Sequence, residues 1–319
     1  MLILRLTCRA ILIRGARYVK TFKIYVPSVP PKLMLGELKN ILIAGIKSNS
    51  STELCHCLEE ADYIFLDFRH CVDGLYEITH PDKTIIIDYQ DDPQFTFPDP
   101  SLLYFKRSVV DTRDGSFVNY ARDITPISYC VKDEYLNRSS QFSSNRDIDI
   151  AIFFDPAQPP GKARNHYRSL VTQFIKNTFG ELNTFVGIAG KNGEIGRSEF
   201  QSDYFDIMTR SKIVVTCNPD LWEGDYRLFE ALSSGSLVLI DRMITPVENP
   251  FIDWEHLVYY DRNQLGKLGN TIKELLANDA VRSYIANNGY EHAMNYHTAS
   301  NRISEILLRA RCLPTSQLS

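Results

Sequence analysis

The stretch SKIVVTCNPDLWEGDYRLFEALSSGSLVLID, residues 211–241, decides the fold. Residues 213–216 and 237–240 are short, unbroken apolar runs, the first rich in β-branched side chains. Runs of this kind suit parallel strands covered on both faces, since one-sided strands alternate instead. Between them, Asp225 is placed to cap a short helix, and Gly235 stands where a helix end takes a left-handed residue. Leu228 and Leu232, four apart, face the sheet with Phe229 beside them, while Arg227, Glu230 and Ser234 share the polar face. That face opens at the helix N-terminus, where free N–H groups and the macrodipole favour an anion. A cation and a carboxylate beside a phosphate-type site make this the strongest functional signal in the chain.

The rest of the sequence supplies the setting. A chain of 319 residues fits two domains of about 150 residues each. Its hydrophobic share of 44% and charged share of 23% are those of an ordinary globular protein. A net charge of -4, with no zinc-finger, RNP or basic-helix pattern, argues against a dedicated nucleic-acid binder. The seven cysteines are scattered, and Cys55-His56-Cys57 lacks zinc spacing. Reduced thiols and a cytoplasmic setting are expected, with no metal site. Residues 1–33 carry seven Lys or Arg and no acid, with apolar patches too short to span a membrane. They read as a targeting peptide, as a basic strip for peripheral membrane contact, or, preferred here, as an extension ahead of a domain starting at 34.

From there the pattern alternates strand and helix, which predicts doubly wound α/β architecture. Strands are expected at 40–46, 63–68, 84–88, 103–105 and 129–131, with a helix over 52–60. The serine-rich stretch 137–147 places the boundary between a first domain, 34–145, and a second, 146–290. The second begins with a strand at 148–154 and a cationic loop holding Lys162 and Arg164. Helices follow at 165–177 and 202–210, with a strand at 184–188. Beyond the decisive stretch come a strand at 257–260 and helices at 263–277 and 279–288, the latter stopping at Gly289. A last long helix, within 290–311, crosses back, so 291–319 packs over both domains. Two facing α/β domains create a cleft at the carboxyl ends of their strands, where ligands bind.

Arg227 and Glu230 can form a simple exposed ion pair, or Arg227 can neutralise a diphosphate while Glu230 accepts both hydroxyls of a ribose. The sequence resembles the donor segment of GT-B glycosyltransferases, exostosin-like ones in particular, in its R-x-x-E-A-L-x-x-G pattern. The matching residues are Arg227, Glu230, Ala231, Leu232 and Gly235, and residues 284–303 resemble that family's C-terminal helices. The closer, weaker likeness is to compact enzymes of large algal viruses, some of which transfer xylose. The resemblance implies two Rossmann-like domains, a UDP-sugar donor, a glycan acceptor and no cofactor. It adds Asn218, Glu223, Gly224 and Asp225 to the donor residues. Retaining members carry two glutamates eight apart, whereas Glu223 and Glu230 are seven apart, which favours an inverting enzyme.

A departing diphosphate calls for more positive charge, and Lys162 and Arg164 stand after a strand at the right end. Neither Asp91-Asp92 nor Asp147-x-Asp149 sits where a metal would be required. Inversion needs a base from the first domain, for which Asp73, on the loop after residues 63–68, is the first candidate, with Asp67 at the strand end and His70 on the loop behind it. The alternatives are a sugar-nucleotide epimerase or hydrolase on the same scaffold and a non-catalytic glycan- or nucleotide-binding protein. A nicotinamide enzyme is weaker, because the glycines of 187–196 lack G-x-G-x-x-G spacing.

Overall fold

Both halves of the chain build a parallel sheet. The computed structural model describes residues 20–28, 38–71, 76–91, 102–111, 116–117, 124–138, 140, 142, 145–154, 165–187, 202–220 and 222–311. In the first half, β1 (Phe22–Tyr25), β2 (Thr52–Cys55), β3 (Tyr63–Asp67), β4 (Thr84–Asp88) and β5 (Leu103–Lys106) precede a small antiparallel pair, β6 (Val110–Asp111) and β7 (Ser116–Phe117). With β8 (Ile124–Pro126) they give a six-stranded sheet in the order β2-β1-β3-β4-β5-β8. The second half contains β9 (Ile148–Ile152), α2 (His166–Thr178), β10 (Thr184–Val186), α3 (Ser202–Arg210), β11 (Ser211–Val215), α4 (Tyr226–Ser233), β12 (Leu237–Asp241) and β13 (Val258–Tyr260). Its sheet runs β10-β9-β11-β12-β13, parallel throughout. Helices α5 (Leu265–Ala277), α6 (Asp279–Tyr296) and α7 (Ala299–Arg311) close the chain.

The continuous apolar runs behave as parallel strands should. On β11, Ile213 and Val215 join one buried cluster with Val171 and Ile175 of α2 and Leu268 and Ile272 of α5. Val214 joins the opposite cluster with Leu228 and Leu232 of α4. Each face of the second sheet is therefore covered by helices. The cluster under α4 continues through Ile303 and Ile306 of α7 to Ile24, Phe65 and Ile85 of the first sheet, so the two domains share apolar packing.

Several elements differ from expectation. Residues 1–33 do not all precede the domain: β1 lies inside the sheet, paired with β2 and β3, and buries Ile24. Two of the basic residues form surface ion pairs with first-domain acids, Lys20 with Asp62 and Lys23 with Glu60. Residues 40–46 are helical rather than extended, a π-helical turn at Leu38–Ile43 leading into α1 (Ala44–Ser48). Leu38, Ile41, Leu42 and Ile46 are the buried apolar side chains, a helical period that a short apolar run conceals. Gly45 permits close approach of α7, since a Cβ there would lie 2.6 Å from the Ala299 carbonyl oxygen. The helix expected over 52–60 is instead the edge strand β2. Residues 129–131 contribute only an isolated bridge, Val131 to Thr298, and β8 takes the sheet position.

Gly289 does not stop a helix. It lies within α6, and a Cβ there would stand 2.0 Å from the His256 carbonyl oxygen, so the residue is needed for contact and not for termination. The break comes later, where Thr298 and Asn301 exchange hydrogen bonds between side chain and backbone and start α7. Helix α7 then crosses to the first domain as expected. Asn49 donates to the Ser300 carbonyl at 3.0 Å and to Ser304 Oγ at 2.8 Å.

Candidate active site

In the second sheet the chain passes from β9 to β10 on one side and then to β11, β12 and β13 on the other. The carboxyl ends of β9 and β11 thus flank a topological switch point, where a doubly wound sheet leaves a crevice. Phe154 follows β9, and Asn218 follows β11. The loop between β11 and α4 is tied down by its own polar groups. Asn218 donates from its backbone N–H and its Nδ2 to Asp241 Oδ1, at 2.6 and 3.1 Å, and its Oδ1 accepts from Gly224 N–H at 2.9 Å. Gly224 takes a φ of +91°, which an L side chain adopts poorly. Asp225 then caps α4 by accepting from Arg227 N–H at 3.2 Å.

Two guanidiniums converge on this cap. Arg227 and Arg168 pair with Asp225 Oδ2 at 2.7 and 2.5 Å, and each lies 4.7 Å from the centre of the Phe154 ring. Two cations sharing one carboxylate give this trio a net positive charge at the switch point and at the positive end of α4. The Arg227 Nε is buried without a hydrogen-bond partner among the described residues. Arg168 escaped the sequence reading because its partner is 57 positions away and no local spacing marks it. The α2 N-terminus is engaged internally, with Asp220 accepting from His166 and Tyr167 N–H groups at 2.5 and 3.0 Å. Lys162 and Arg164 lie outside the described residues.

Glu223 has a different part. Its carboxylate accepts from Ile244 N–H at 2.8 Å and Thr245 N–H at 2.9 Å, joining the loop before α4 to the loop after β12. Burial raises its pKa against the lowering pull of those amides, and burial likewise raises that of Asp241.

The polar face of α4 is not a solvated one. Ser234 is fully buried, and Glu230 is 5% exposed. Glu230 Oε2 accepts from the Tyr204 hydroxyl at 2.9 Å, and its Oε1 lies 4.0 Å from Lys132 Nζ of the first domain. Lys132 also sits 4.6 Å over the Tyr226 ring and 3.8 Å from Glu134, whose pKa burial raises. Tyr226 in turn stacks on Tyr129 at 3.9 Å, and Tyr129 on Tyr89 at 5.4 Å. Arg107, one residue beyond β5, donates to the Glu223 and Gly224 carbonyls. The carboxyl ends of the two sheets therefore meet across the loop between β11 and α4. Sequence reading missed Lys132, Arg107 and the tyrosine stack, whose partners are remote in the chain.

The first-domain acid and base candidates fare unevenly. Asp73 lies outside the described residues. Asp67 is buried, caps the single turn Phe68–His70 and forms an ion pair with Arg69 through two contacts. His70 is buried with both ring nitrogens 2.9 Å from carbonyl oxygens, those of Asp67 and Pro27. Both side chains are thus engaged in holding the end of β3. Among the described residues no group of three His, Cys, Asp or Glu is placed to hold a metal ion. Likewise no helix among them is long and apolar enough to cross a membrane.

Comparison with known proteins places this geometry. The Glycosyl transferase-like family model matches residues 169–308. No curated protein matches the chain. A glycosyltransferase from Rickettsia africae superposes with a TM-score of 0.54 at 9% identity, covering 95% of this chain and 100% of its own. An alpha-glucosyltransferase in complex with UDP-glucose and DNA containing an abasic site gives 0.52 at 11%, covering 91% and 100%. A variant of S. aureus TarM, in complex with fondaparinux, alpha-GlcNAc-glycerol and UDP, gives 0.50 at 12%, covering 78% of this chain and 55% of that one. At such identities the likeness shows the fold, two Rossmann-like domains of the GT-B kind. The α4 segment lies inside the region that the glycosyl transferase-like family model matches, and the chain as a whole has GT-B architecture.

Proposed function

We propose that the protein transfers a single sugar from a UDP-sugar to a hydroxyl of a carbohydrate acceptor. The observation that carries this reading is the pair Arg168 and Arg227, converging on Asp225 and Phe154 at the switch point and the α4 N-terminus. A diphosphate there meets two fixed guanidiniums and the helix dipole, and its oxygens supply the acceptor that the Arg227 Nε lacks. Lys162 and Arg164, which follow β9 in the sequence, are assigned to the same diphosphate. Glu230 takes the ribose hydroxyls, with Tyr204 and Lys132 orienting its carboxylate.

In the reaction, the acceptor oxygen attacks the anomeric carbon while the bond from that carbon to the diphosphate oxygen breaks. The electron pair leaves with UDP, whose growing charge the arginines stabilise, so no metal is called for. The acceptor proton passes to a carboxylate, for which we assign Asp73. The inverting course is supported by Glu223, which directs both oxygens to loop amides and so does not present the first carboxylate of a retaining pair. For the donor sugar we put xylose first, on the sequence resemblance alone. A glycan rather than a nucleic acid is the acceptor we assign, supported by the net charge of -4. The unpaired thiols, Cys55, Cys57 and Cys71 among them, support a cytoplasmic setting.

The test is product analysis with labelled UDP-xylose, UDP-glucose and UDP-N-acetylglucosamine, with and without a mixture of oligosaccharide acceptors. UDP release that depends on acceptor, with a new glycoside of inverted configuration by NMR, supports the reading. Acceptor-independent turnover moves the protein to the hydrolase or epimerase class, and a retained anomer overturns the inverting assignment.

A further inference from the structure

Beside the donor-side loop, at the carboxyl ends of β12 and β13, lies a cleft of about 890 Å³ that the transfer described above does not use. We propose that it binds a neutral oligosaccharide, the extended part of the acceptor chain, so that the enzyme works on a polymer and not on a small acceptor. The proposal rests on the reading that the acceptor is a glycan. Its volume falls in the range of sites for small organic ligands, about 300–1,000 Å³.

The walls carry the chemistry that recognises sugars. Tyr167 and Tyr259 offer ring surfaces, and Arg242, Asp253 and Asn263 offer planar hydrogen-bonding groups among them. Sugar rings present C–H faces that pack on aromatic rings, and hydroxyls that both donate and accept. Arg262 packs on the Tyr167 ring, 4.1 Å from its centre, and the Tyr167 hydroxyl donates to Asn263 at 3.0 Å. Next to Asp253 in the chain, Ile252 and Trp254 are each about half exposed, Trp254 on a left-handed turn with φ of 59°.

Charge argues against a second nucleotide here. Arg242 and Arg262 are balanced by Asp241, Asp253 and Asp261, and Arg262 lies 3.7 Å from Asp241. A diphosphate is better met by the guanidiniums over Phe154. The cleft is also tied to the donor side: Glu223 holds the N–H groups of Ile244 and Thr245, both part of its wall. A chain lying in it is therefore in fixed register with the loop that opens α4.

The experiment is saturation-transfer NMR on the full chain with xylan, cellulose, starch and mannan fragments six sugars long, alongside UDP titration by calorimetry. At least one fragment is expected to bind, and R242A and Y259A are each expected to weaken it about tenfold or more while UDP affinity stays within about twofold. Arg242 is exposed, so its replacement leaves the fold intact. Absence of binding by every fragment overturns the proposal, as does affinity unchanged in both variants. Loss of UDP affinity in R242A overturns it too, by making the cleft part of the nucleotide site. Glycan binding without UDP binding instead overturns the donor reading and leaves the cleft standing.

Discussion

Arg107 of the first domain donates to the Gly224 carbonyl of the second at 2.9 Å, one residue before the cap of α4. The same nitrogen reaches the Glu223 carbonyl at 3.0 Å, Nη2 pairs with Asp91 at 2.5 Å, and the guanidinium lies 4.6 Å over the Tyr129 ring. One buried cation thus fixes the loop between β11 and α4 from across the domain boundary. Arg107→Ala leaves those carbonyls without their donor and should destabilise the protein by about 2–4 kcal/mol, seen as a lower urea midpoint. Arg107→Lys keeps the charge without the fork and should fall between. Wild-type midpoints for both variants would show that the contact carries no energy.

Arg168 and Arg227 should contribute separately to nucleotide binding. Each charge-assisted hydrogen bond is worth about 1.5–3 kcal/mol, so either alanine variant should weaken UDP binding roughly 10- to 100-fold. Calorimetric titration measures this directly. Arg168→Ala with full affinity would exclude it from the diphosphate site.

Burial, with Arg302 close by, holds the His297 pKa down to about 2. The folded ring stays neutral through the mildly acid range while the unfolded ring takes up a proton near pH 6.5. The unfolded state then binds more protons, so this contribution to stability is present above pH 6.5 and is lost as pH falls toward 2. By pH 5 the loss should be roughly 2 kcal/mol. Burial raises the Glu223, Asp241 and Glu305 pKa values, which stabilises the fold as they protonate and so opposes the trend nearer pH 4. Urea midpoints from pH 8 to 5 should fall in the wild type and fall less in His297→Gln.

Gly289→Ala should be costly although alanine favours helices. The added methyl meets the His256 carbonyl oxygen and a methyl of Leu232, both rigidly placed. Overpacking of this kind costs about 1–3 kcal/mol, read as a fall in the thermal midpoint. A stabilised variant would show that α6 can shift away from residue 256.

How much of this could be read beforehand depended on how local each cause is. The β11-α4-β12 unit was legible because the apolar runs, the Asp225 cap and the left-handed Gly235 are set by neighbours in sequence. Residues 38–48 were not, since a short apolar run reads alike as strand or buried helix until α7 packs on it. Gly289 looked like a helix stop because its real constraint, His256, is remote in the chain. The same holds in the site. Asp225 and Arg227 are marked by spacing, whereas Arg107 and Gly224, 117 positions apart, meet only when the domains face each other.

The central claim is that the crevice between β9 and β11 holds a uridine diphosphate on Arg168 and Arg227. A thermal-shift titration of UDP tests it most directly, because a ligand at 100 times its dissociation constant stabilises by about 2.7 kcal/mol. The account predicts a clear UDP-dependent rise in the wild type and none in the double variant Arg168→Ala/Arg227→Ala at the same concentrations. A wild-type midpoint that UDP does not move, or an equal rise in the double variant, would contradict it.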